Sequence, residues 1–204
     1  MNKELYSPIA SGAASTSVAP WLRATLVILA GSALLAACAH VSLPLWFTPV
    51  PLSLQPFGVL LLGLLLTPRM AFGTLAAYLV EGAAGLPVFA PGFALSGGLA
   101  HLLGPTGGYL MAYPLAAVLI SFVWRRSGRG FSMALASAAL GDVAILVGGA
   151  LWLATLTHTP IGSALTLAAL PFLPGDALKV AAAAALASGF HRWRSRNANL
   201  NPAS

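Results

Sequence analysis

Charge is the scarcest commodity here: charged residues make up 7% of the 204-residue chain, with four Asp and Glu against ten Lys and Arg, while hydrophobic residues reach 58%. So little polar surface cannot cover a water-soluble globule, and the chain reads as an integral membrane protein. Cysteine occurs once, at Cys38, which excludes an intrachain disulfide. The phosphate-cradling pattern G-x-x-x-x-G-K-[ST] is missing, so energy from ATP has to come from another chain. No G-x-S-x-G occurs, and the Ser and His residues show no spacing that argues for a nucleophile and its base, which leaves intramembrane hydrolysis without support. His40, His101 and His158 stand at neither i+3 nor i+4 from another ligand type, so no metal site is expected. Residues 1–20, rich in Ser, Ala and Pro with no apolar core, read as a flexible N-terminal tail rather than a cleaved signal.

What is present is apolar text in span-sized pieces. A spanning helix takes roughly 20 residues, so the chain holds about six spans and no soluble catalytic domain. The expected spans are 21–41, 57–67, 71–83, 109–124, 131–156 and 172–190, with 161–170 as an outer connection or helical extension. Residues 21–191 thus form one membrane domain, followed by a basic cytoplasmic C-terminal tail over 192–204. The second and third spans are short, and charge decides that they are two. With six crossings, Lys3, Arg23, Arg69, Arg125, Arg126, Arg129, Arg192, Arg194 and Arg196 share the side of the N-terminus, which the positive-inside bias makes cytoplasmic. With five, Arg69 falls in the bilayer. The arginines flanking apolar runs fit topology and anionic headgroups rather than nucleic acid. All five tryptophans, at 21, 46, 124, 152 and 193, fall near expected interfaces.

The outer connections are unusual. Residues 43–56 hold four prolines, which bar a continuous helix and imply an ordered loop. Residues 82–108 contain no Lys, Arg, Asp or Glu, and a stretch so apolar is expected to fold over the outer helix ends as a cap. The fold class is therefore all-α, with six transmembrane helices, cytoplasmic termini and outer loops capping a substrate pocket.

The tenth cation, Lys179, lies inside the last apolar segment, three residues after Asp176. At i and i+3 the two share a helix face at lipid depth, each neutralising the other while keeping donors and acceptors for a solute. A structural ion pair with Asp176 capping the helix is the plainer reading, and a ligand site the one that accounts for so costly an arrangement. Glu81 faces the same cavity or reaches the headgroups. Asp142 is a protonated core acid or a second lining residue. Gln55 offers a polar contact, and Tyr78, Phe89 and Tyr109 offer aromatic walls or interface anchors.

Four blocks, PVPLSLQPF (49–57), YLVEGAAGLPVFA (78–90), GPTGGYL (104–110) and PFLPGDALK (171–179), resemble the BioY proteins, the biotin-specific substrate-binding (S) components of energy-coupling-factor (ECF) vitamin importers. The resemblance implies biotin as substrate, no cofactor, and a place in the cytoplasmic membrane beside a membrane-embedded coupling subunit and cytosolic ATPases, or function alone as a homo-oligomer. It assigns the head of the vitamin to Asp176 and Lys179, places Tyr78, Glu81 and the loop through Phe89 along the pocket, and gives Ala33 and Ala37 the small-xxx-small spacing that packs on the coupling subunit. Asp142 has no place in the family pattern. An S component for thiamine or riboflavin is the nearer alternative, and a membrane enzyme or scaffold the more distant one.

Overall fold

A computed structural model describes residues 19–91 and 98–200, so most of the expected N-terminal tail, part of the apolar outer stretch and positions 201–204 lie outside the described residues. The helices are α1 (Pro20–His40), α2 (Gln55–Leu65), α3 (Pro68–Ala83), α4 (Leu99–Leu102), α5 (Gly107–Arg126), α6 (Phe131–Thr157), α7 (Ile161–Ala168) and α8 (Leu173–Leu200). The chain is mostly helical as expected, and the first loop adds one short antiparallel pair, β1 (Ser42–Leu43) with β2 (Leu52–Ser53). Pro44, Pro49 and Pro51 fall between the paired residues, so the ladder loses no donor to them.

Local chemistry explains the short helices. Thr67 caps α3, its hydroxyl accepting the Met70 amide at 3.4 Å, and Pro68 takes the first helical position. That junction separates α2 from α3. At its far end α3 stops at Gly85, whose φ of +97° suits glycine, with the Leu86 amide turned back to the Glu81 carbonyl. α2 has 11 residues, a rise of roughly 16 Å against a hydrocarbon core of roughly 30 Å. By length and apolarity α1, α5 and α6 can cross a membrane, and a fourth span results if α7 and α8, bent by 59°, count as one. α8 continues through the basic segment to Leu200.

α2 is enclosed by α1, α5, α6 and α8, with seven of its 11 residues buried. The most extensive interface joins α5 to α6, and glycine makes it possible. A Cβ at Gly108 would sit 2.1 Å from that of Trp152, and one at Gly141 would sit 2.3 Å from the Ile120 side chain. Backbones this close gain dispersion contact that larger residues would deny. Of the tryptophans, Trp46 is 94% exposed on the first loop, whereas Trp124, near the end of α5, is 4% exposed and packed inside.

Candidate functional site

α2, α5 and α8 begin at the same end of the bundle, bringing Gln55, Tyr109 and Asp176 around one cavity. α6 passes alongside and adds Asp142 and Ile145, while Val50, Pro51 and Ser53 of the first loop cover it from above. The atom-free space is about 540 Å³, its open mouth included. Thr48 ties that loop to α7 by donating to the Leu167 carbonyl at 2.9 Å.

The polar floor is an ion pair. Lys179 Nζ lies 2.8 Å from Asp176 Oδ1, and both residues are buried. Asp176 occupies the first turn of α8, where the helix dipole favours a carboxylate. An ammonium carries three donors, so Lys179 keeps two beyond the one given to Asp176. Asp142, also buried, has an Oδ1 with no hydrogen-bond partner among the described residues. A buried polar atom without a partner is uncommon and costly. At a cavity wall, the missing partner can come from a bound solute.

The remaining residues singled out in the sequence divide. Gln55 lines the cavity and donates through Nε2 to the Tyr78 hydroxyl at 2.7 Å, which in turn donates to the Val88 carbonyl at 2.7 Å. Tyr78 therefore stands behind Gln55 rather than on the wall. Phe89 is also set back: its ring lies over Gly82, where a Cβ would come within 2.1 Å, and packs edge-on against Tyr78 at 5.4 Å and flat against His101 at 5.0 Å. Glu81 turns away to accept the Ser32 hydroxyl of α1, joining α3 to α1 instead of facing the cavity. Tyr109 lines the cavity, donates to the Ala168 carbonyl, and rests its ring on Gly149. Ala33 and Ala37 lie exposed on the outer face of α1, opposite the buried Ser32, Leu35 and Ala39.

Tyr113, His101, Thr106 and Phe172 also line the cavity, although nothing in the sequence reading singled them out as site residues. Tyr113 was discoverable, since it follows Tyr109 by one helical turn and shares its face. His101 and Thr106, joined at 3.4 Å, come from a segment with no periodicity to read.

The model of the BioY family matches residues 9–196. The chain belongs to the BioY family. Similar BioY proteins include the probable biotin transporter BioY of Pyrococcus horikoshii, 43% identical over 68% of this chain and 79% of that one. The biotin transporter BioY of Thermotoga maritima is 36% identical over 76% of this chain and 88% of its own. The crystal structure, at 2.1 Å, of the S-component for biotin from an ECF-type ABC transporter superposes with a TM-score of 0.76 at 26% identity, covering 84% of this chain and 92% of the other.

Proposed function

We propose that this BioY-family chain binds biotin in the α2–α5–α6–α8 cavity and serves as the substrate-specific subunit of an ECF-type importer in the cytoplasmic membrane. The observation that carries the reading is the buried Asp176–Lys179 pair on the cavity floor. Biotin's ureido group offers one carbonyl acceptor and two N–H donors. Lys179 has donors to spare for the carbonyl, and the carboxylates of Asp176 and Asp142 suit the N–H groups. Tyr109, Tyr113 and Phe172 supply walls for the fused rings and the apolar chain.

Six crossings with cytoplasmic termini follow if α2 and α3 each traverse a bilayer thinned or met by tilt. In support, Gln55, Tyr109 and Asp176 gather at one end of the helices, and Leu65, Arg125 and Arg194 at the other. The second end holds the cations and faces the cytosol under the positive-inside bias. A membrane-embedded coupling subunit meets the Ala33 and Ala37 face, and cytosolic ATPases supply the energy. Calorimetric titration of the purified protein with biotin, thiamine and riboflavin tests the reading. Saturable heat with biotin alone is expected, and monodisperse protein that gives no biotin signal overturns it.

A further inference from the structure

At the end of α2, α5 and α8 remote from the biotin cavity, a groove of about 460 Å³ of atom-free space, its open side included, runs between Leu64, Trp124, Arg125, Arg129, Phe190 and Arg194. We propose that it holds the phosphodiester head of an anionic phospholipid, with the three guanidinium groups on the phosphate and the acyl chains against the apolar wall.

Four observations converge on it. Among the described residues the one ion pair is Asp176–Lys179, so no described carboxylate neutralises the three arginines that surround the groove. Like charges brought together at an apolar surface call for an anion between them. Arg125 is held in place by donating through Nε to the Leu66 carbonyl at 3.2 Å and through Nη2 to the Leu65 carbonyl at 3.4 Å, which leaves guanidinium donors unused. Arg129 adopts φ of +51°, a left-handed backbone unfavourable for a residue with a Cβ, although glycine stands on both sides of it. A left-handed backbone kept at a charged position beside a groove fits a role for that side chain there. Finally, the indole N–H of the buried Trp124 has no acceptor among the described residues, and Trp124 is one of the residues that line the same groove. A phosphate oxygen seated in the groove would be the nearest new acceptor for it once the ring shifts.

The apolar half selects the source of that phosphate. Phe190 is 51% exposed and Leu65 is 37% exposed, beside the arginines, so the groove offers hydrocarbon contact that inorganic phosphate cannot use. The inference stands whether or not the cavity at the other end binds biotin.

Native mass spectrometry of the detergent-purified full chain with dioleoyl phosphatidylglycerol, dioleoyl phosphatidylcholine and inorganic phosphate tests it. Phosphatidylglycerol is expected to remain bound where phosphatidylcholine does not, and millimolar phosphate leaves the lipid in place. Arg129→Gly suits the local backbone and Arg194→Ala is at an exposed position, so both keep the fold, which thermal melting without lipid checks. Each lowers phosphatidylglycerol affinity by about fivefold, whereas Arg192→Ala and Arg196→Ala, with the same loss of charge outside the groove, change it by less than about twofold. Trp124→Phe lowers it as well. Equal losses in groove and control variants, displacement by phosphate alone, or equal retention of phosphatidylcholine overturns the proposal.

Discussion

At the scale of single residues, the cavity places two carboxylates and one ammonium in a buried space with one acceptor unpartnered. Asp176→Asn and Lys179→Ala are expected to weaken biotin binding at least about tenfold, or about 1.4 kcal/mol, since each leaves a buried partner uncompensated. Titration calorimetry reads this directly, and unchanged affinity in both variants moves the site elsewhere. Asp142 predicts a divergence that a merely structural acid would not show. Asp142→Ala removes a buried oxygen with no partner among the described residues, so the thermal midpoint in detergent holds or rises while biotin affinity falls by about fivefold or more. A fall in both marks Asp142 as a packing residue. How far these residues were legible depends on where their partners come from. Asp176 and Lys179 are one turn apart, so their contact is written in local spacing. Glu81 meets Ser32 across 49 positions, and no helical period relates them.

At the scale of elements, aromatic rings laid on glycines set the cavity wall and its outer support. Tyr109 rests on Gly149, and Phe89 on Gly82. A Cβ at position 149 would come within 2.2 Å of the Tyr109 ring, so Gly149→Ala forces the ring toward the cavity or parts α5 from α6. We expect about 1–3 kcal/mol of destabilisation and weakened biotin binding from that overpacking. Gly189→Ala, where nothing lies within 4 Å, serves as the control and gains helix propensity. Paired melting and calorimetry check both, and equal behaviour of the two variants refutes the role given to ring-on-glycine packing. The third span is expected at 71–83 and α3 runs Pro68–Ala83, and the structure shows its ends set locally, by Thr67 and Pro68 at the start and Gly85 just past the end. The β1–β2 pair was not legible, because two residues per strand are too few to show alternation. The inward turn of Phe89 depends on a seat provided by α3, which no pattern in its own segment reveals.

At the scale of the whole molecule, charge asymmetry proposes a fuller topology than hydrophobic length does. Length and apolarity identify three or four spans, because α2 and α3 are short and α8 ends in a basic stretch. With six crossings, the positive-inside bias would assign every connection to a side. That assignment yields a labelling prediction that uses the sole cysteine, Cys38, which is buried within α1. Cys38→Ala gives a cysteine-free chain, into which Gly128→Cys and Thr159→Cys are introduced singly. Position 128 is exposed between α5 and α6 with open space around it, and position 159 is exposed after α6. α6 has 27 residues, and at 1.5 Å per residue that is roughly 40 Å, enough to separate its two ends across the hydrocarbon core. A membrane-impermeant maleimide should therefore label Thr159→Cys in intact cells and label Gly128→Cys only after the membrane is opened. The opposite order would turn the biotin cavity toward the cytosol, and an importer of external biotin could not be oriented so. Labelling of both sites in intact cells would instead mean that α6 does not cross.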